Sequence, residues 1–136
     1  MYVCLGIALL VILGIVPLPT TAVPEWRIKV VTDNGVPQPG VLLRQSWKHY
    51  SYSDSGEFEG EEDIRADNNG IVVFPERNIR ASVFSRLIGA AGDILKLVNP
   101  HSSSGVHAWV MVVERTSSSV SYDGEGNPPD TIVLKN

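Results

Sequence analysis

From Trp26 to Val30 apolar and polar residues alternate, with Trp26, Ile28 and Val30 set against Arg27 and Lys29. That period of two predicts a half-buried strand over 26–32. Asp33-Asn34-Gly35 ends it, and Pro37, Pro39 and Gly40 keep the next residues out of any ladder. Val41-Leu42-Leu43 opens a second extended segment reaching about Tyr52, rich in β-branched and aromatic residues. Ser53–Asp63 holds six acids, Asp54, Glu57, Glu59, Glu61, Glu62 and Asp63. Like charges at that density repel one another and solvate, so the expectation is an exposed loop or mobile hairpin tip. Ala66-Asp67-Asn68-Asn69-Gly70 has the chemistry of a turn, and Ile71–Phe74 that of a short buried strand closed by Pro75.

The period changes over 81–98. Val83, Phe84, Leu87, Ile88, Ala91, Ile94, Leu95 and Val98 fall on one face of a helix, and Ser85, Arg86, Gly89, Asp93 and Lys96 on the other. Gly89 and Gly92 each cost about 1 kcal/mol relative to alanine, so the helix needs tertiary contact, and its apolar face is expected to pack on the core. A membrane or partner surface is the alternative. Asn99-Pro100 stops the helix. Val106–Val113 is almost continuously apolar, which predicts a central strand covered on both faces, with His107, Trp109 and Met111 on a core-facing side. A loop with Gly124, Gly126, Pro128 and Pro129 leads to a closing strand at Thr131–Leu134.

Composition divides the chain. Its 136 residues carry a net charge of −4, yet residues 1–22 hold 16 hydrophobic residues and no Lys, Arg, Asp or Glu. The apolar run from Val3 to Val16, then Pro17 and Pro19, then the small residues Thr20-Thr21-Ala22, fit a secretory signal peptide cut after Ala22. No basic residue precedes the run, which leaves an uncleaved membrane anchor as the alternative. The expected organisation is therefore 1–22 for export and 23–136 as one domain, placed in the periplasm or at the cell surface. Cys4 is the only cysteine, so the domain after Ala22 relies on its core without disulfides or thiolate–metal bonds. Net negative charge without a basic run argues against binding nucleic acid.

Short strands separated by Gly, Pro and Asn turns point to a mainly β domain. Within it, Thr32-Asp33-Asn34-Gly35-Val36-Pro37-Gln38-Pro39-Gly40-Val41 followed by Ala66-Asp67-Asn68-Asn69-Gly70-Ile71-Val72-Val73-Phe74 resembles the carboxypeptidase regulatory-like modules. The resemblance covers about residues 26–75. It implies a transthyretin-like (prealbumin-like, Ig-like) β-sandwich of about seven strands, with the helix inserted, acting as a non-enzymatic accessory, binding or structural unit. The acidic segment and the helix depart from the simple module. Hydroxyisourate hydrolases share the transthyretin-like fold but end in Tyr-Arg-Gly-Ser, whereas this chain ends Thr-Ile-Val-Leu-Lys-Asn.

The chemistry-bearing residues are few. His49, His101 and His107 are scattered, with no H-x-H or H-E-x-x-H spacing. No metal or other cofactor is expected. A small hydrolase or metal-dependent enzyme using His49, His101 or His107 is the competing class. The serines at 102–104 and 117–119 lack a G-x-S-x-G elbow. Asp67-Asn68-Asn69-Gly70 has the composition of a calcium loop but needs no ion as a turn. In an extended segment, Arg44, Lys48, Tyr50 and Tyr52 share one parity, opposite Leu43 and Trp47. Such a row stacks on a sugar or grips a peptide, or else covers the sheet while Arg44 and Lys48 neutralise the acidic segment. The expected partners are an envelope protein, a peptide or a glycan, with membrane contact only through residues 1–22 if these are retained.

Overall fold

The computed structural model describes residues 6, 11–12, 14–51, 58–96 and 103–134. Among these residues nine strands form three sheets. In chain order they are β1 (Pro17–Val23), β2 (Trp26–Thr32), β3 (Leu42–His49), β4 (Glu59–Arg65), β5 (Ile71–Phe74), β6 (Arg77–Ser82), the helix α1 (Val83–Lys96), β7 (Val106–Val112), β8 (Arg115–Tyr122) and β9 (Thr131–Leu134). One sheet has the order β4-β3-β7-β8, another β5-β2-β9, and β1 pairs with β6 alone. All pairings are antiparallel except β2 with β9.

The two larger sheets contribute to one hydrophobic core. Trp26, Ile28 and Val30 of β2, Val72 and Phe74 of β5, and Ile132 and Leu134 of β9 meet Leu43 of β3, Ala108, Val110 and Val112 of β7, and Tyr122 of β8. The alternation read from Trp26 to Val30 is the alternation that the core uses. Trp26 donates its indole N–H to the Pro129 carbonyl at 2.6 Å and meets Tyr122 edge-on at 6.2 Å, so its one polar atom is satisfied.

The turn segments that carry the resemblance are joined in space. Val30 N donates to Gly70 O at 2.7 Å, Gln38 N to Val30 O at 3.0 Å, Gly40 N to Ala66 O at 3.0 Å and Ala66 N to Val41 O at 2.9 Å. Asp67 Oδ1 accepts from the backbone N–H groups of Asn69 and Ile71, both at 2.8 Å. The carboxylate thus closes the turn itself, and these bonds lower its pKa below the ordinary aspartate value.

Several expectations are corrected. Glu59–Asp63 is not loop: it forms most of β4, because alternate acids project from one face and find cations there. The outer acids hid the strand's pattern; residues 53–57 lie outside the described residues. In β7 the core side is Val106, Ala108, Val110 and Val112, whereas His107, Trp109 and Met111 face outward and are only half-buried. That strand is covered on one face. Strands β1, β6 and β8 carry too few alternating apolar residues to have been foreseen, β8 owing to its serines.

The helix is present, beginning at Val83 because Ala81 and Ser82 finish β6. Its apolar face is not in the core. Phe84, Leu87, Ile88 and Ile94 are 63%, 64%, 59% and 66% exposed, and it is Gly89 that is buried. Asn99-Pro100 lies outside the described residues. The expected export boundary at Ala22 falls inside β1, where Ala22 and Val23 are both buried.

Candidate functional site

Strand alternation and register build one candidate face. On β3, Leu43, Gln45 and Trp47 point inward, so Arg44, Ser46 and Lys48 point outward. Pairing sets Arg44 between Asp63 and Met111, Ser46 between Glu61 and Trp109, and Lys48 between Glu59 and His107. The outer surface of β4-β3-β7 thus carries three rows, one along each strand: acids on β4, cations and a hydroxyl on β3, soft and aromatic side chains on β7.

The charges on this face pair with one another. Arg44 meets Asp63 with two parallel bonds, Nε to Oδ1 at 2.7 Å and Nη2 to Oδ2 at 2.8 Å, while Glu61 Oε2 stands 3.7 Å from Arg44 Nη1. Lys48 Nζ lies 2.7 Å from Glu59 Oε2. The bond to Asp63 raises the Arg44 pKa and lowers that of Asp63, and the bond to Glu59 raises that of Lys48. Ser46 Oγ donates to Glu61 Oε1 at 3.2 Å.

At one end of the face Tyr50 meets the His107 ring edge-on at 5.2 Å, and Lys48 Nζ lies 5.7 Å from the Tyr50 ring centre. His107 Nε2 is 3.2 Å from Ser104 O. Between the rows runs an open cleft of about 510 Å³ lined by Ser46, Trp47, Lys48, Glu59, Gly60, Glu61 and Trp109. It combines an indole with hydroxyl and carboxylate acceptors whose neighbouring cations are already engaged. Such a lining accepts hydrogen bonds from a ligand and packs against its C–H groups.

Of the four residues singled out in the sequence, Arg44, Lys48 and Tyr50 lie on this face, and Tyr52 lies outside the described residues. Arg44 and Lys48 neutralise acids of the 53–63 segment, as one of the two sequence readings has it. Sequence reasoning missed Trp109, Ser46 and Glu61. The available signal was in β7 itself: its Val/Ala/Val/Val parity is purely aliphatic, leaving His107, Trp109 and Met111 for the surface. The register puts His107 on the outer face beside Lys48, and His49, the next residue of β3, on the inner one, so these two histidines do not converge. His101 lies outside the described residues. Among the described residues no group of three or more His, Cys, Asp or Glu is placed to hold a metal ion.

Compared with known proteins, the chain matches no protein-family model, no curated protein and no solved structure.

Proposed function

We propose that this protein is a non-enzymatic β-sandwich module of the carboxypeptidase regulatory-like kind, exported through its N-terminal segment to the periplasm or cell surface, where it binds a glycan. Support for the sandwich comes from seven strands in a three-stranded and a four-stranded sheet that share one core. Further support comes from the two turn segments, which brace each other through Val30, Gln38, Gly40 and Ala66. The apolar, uncharged start of the chain supports export.

The observation that carries the binding role is Trp109 beside Ser46 and Glu61, in a cleft whose lining cation, Lys48, is paired with Glu59, with Arg44 beyond it paired with Asp63. A ligand that needs a free cation gains little there. A polyhydroxylated ring gains an indole for its C–H face and carboxylates for its hydroxyls. The test is calorimetric titration of the full chain with an N-acetylglucosamine tetrasaccharide, comparing wild type with Trp109→Ala. Saturable heat that falls at least tenfold in affinity in the variant supports the reading. Absence of heat, or equal affinity in the two proteins, overturns it.

A further inference from the structure

The helix α1 is turned the opposite way to an ordinary surface helix. Ser82 caps it, its Oγ accepting from Ser85 N at 3.1 Å. Arg86 then ties it to β1, with Nη2 2.8 Å from Leu18 O and 2.6 Å from Thr20 Oγ1, and Nε 3.2 Å from Ala81 O. Further along, Ser51 Oγ donates to Asp93 Oδ2 at 2.5 Å. Arg86, Gly89 and Asp93 follow at helical spacing, so the polar, glycine-bearing face is the one against the protein. Val83, Phe84, Leu87, Ile88, Ala91 and Ile94 lie on the other side and are all exposed. Polar bonds fix the helix with its apolar stripe outward, an arrangement that is favourable only where the surroundings are apolar.

A second apolar element leaves the protein at the same place. The β1–β6 register sets Pro17 opposite Ser82, so the segment ending at Val16 and the helix beginning at Val83 depart from one end of the two-stranded sheet. Residues 1–16 contain no charged side chain, and Val11, Ile12 and Ile15 are exposed at 54%, 60% and 65%. Since these residues and the α1 stripe are all exposed, they do not cover one another. Cleavage after Ala22 would also remove Pro17–Ala22, the part of β1 that Arg86 holds and that pairs with β6 from Asn78 to Ser82.

We propose that the N-terminal segment is retained and that α1 lies in the plane of a lipid bilayer beside it, with Phe84, Leu87, Ile88 and Ile94 among the acyl chains. At 14 residues the helix is about 21 Å long, too short to cross a core of about 30 Å. No described helix is long and apolar enough to span a membrane. An in-plane position suits it. The helix carries three charged residues, Arg86 bonded to β1, Asp93 bonded to Ser51 and Lys96 at its last position, and none falls among the exposed apolar residues Val83, Phe84, Leu87, Ile88, Ala91 and Ile94. Attraction is therefore hydrophobic, and it persists on zwitterionic lipid and in high salt.

The experiment uses the full chain with Cys4→Ser and a single introduced cysteine, Leu87→Cys or Ile94→Cys, labelled with an environment-sensitive fluorophore and reconstituted into phosphatidylcholine vesicles. Ser121→Cys on the outer sheet face is the control. The expected result is blue-shifted emission at 87 and 94, quenched by doxyl-labelled lipid and shielded from aqueous iodide, while 121 is quenched by iodide. Iodide quenching of all three alike overturns the proposal. Shielding at 87 and 94 without doxyl quenching also overturns it, assigning the stripe to a second protein copy. N-terminal sequencing of the chain extracted from membranes is expected to begin before Pro17, and a start at Val23 overturns retention.

Discussion

The indole of Trp47 packs onto the bare backbone of Gly60, its partner across β3–β4, so closely that a Cβ on Gly60 would stand 3.0 Å from Nε1 and 3.2 Å from Cε2. The glycine makes room for the aromatic ring at the edge of the core, and both residues also border the cleft. Gly60→Ala is expected to push the indole aside, cost about 1 kcal/mol and weaken the near-ultraviolet circular dichroism. Chemical denaturation and the tryptophan spectrum check it.

Gly70 and Gly35 separate two reasons for glycine. Both have φ near +75°, at +73° and +76°, but a Cβ on Gly70 would lie 2.8 Å from Val30 O and 2.9 Å from Gln38 N, whereas at Gly35 nothing lies within 4 Å. Gly35→Ala is expected to cost about 1 kcal/mol, the conformational term alone. Gly70→Ala adds a backbone collision where the two turn segments meet and is expected to cost at least twice that. Equal thermal midpoints for the two variants would show that the turns do not brace each other.

Asp67 gives the fold an acid sensitivity whose sign is fixed. Its pKa is lowered in the folded protein by the N–H groups of Ile71 and Asn69. The folded state therefore binds the proton less readily than the unfolded one, and the contribution is full above the ordinary value of 3.8 and lost as pH falls through the folded value. Asp67→Asn is expected to be less stable than wild type at pH 7, with the two denaturation midpoints converging under acid. A constant difference from pH 7 to pH 2 would count against the turn.

Arg77 reaches from β6 to the inner side of the four-stranded sheet. It donates twice to Gln45 Oε1, at 3.0 and 2.9 Å, and pairs with Glu62. Gln45 is fully buried, and its Nε2 finds no partner among the described residues. Arg77→Met is expected to strand the buried acceptor and cost about 1–3 kcal/mol. Adding Gln45→Leu is expected to recover part of the loss, because an apolar pair leaves no unsatisfied group. Urea titration of the single and double variants tests the non-additivity.

Legibility in the sequence followed one-sided burial. β2, β5 and β9 were readable because their inward residues are aliphatic or aromatic, and the turns around Gly35 and Gly70 because their chemistry is local. β4 was not, since four of its seven residues are acids and their cationic partners lie on another strand. Ser119 and Ser121 concealed β8, and Pro17 and Pro19, residues rare inside strands, concealed β1. At the site, Arg44, Lys48 and Tyr50 were found by parity, but Trp109 was lost because the nearly continuous apolar run of β7 reads as covered on both faces unless its aliphatic parity is weighed against His107, Trp109 and Met111. For α1 the period was right and the buried side was not: Arg86 and Asp93 find partners only in the fold, on Leu18, Thr20 and Ser51.

The most direct measurement follows the three indole N–H resonances of the full chain in ¹H–¹⁵N spectra during titration with the N-acetylglucosamine tetrasaccharide. Trp26 is in the core with its N–H on Pro129 O, Trp47 borders the cleft, and Trp109 forms its wall. A saturable shift of Trp109, a smaller one of Trp47 and a stationary Trp26 is the predicted result. Three stationary indoles at saturating sugar, or shifts that spare Trp109, would contradict binding at this face.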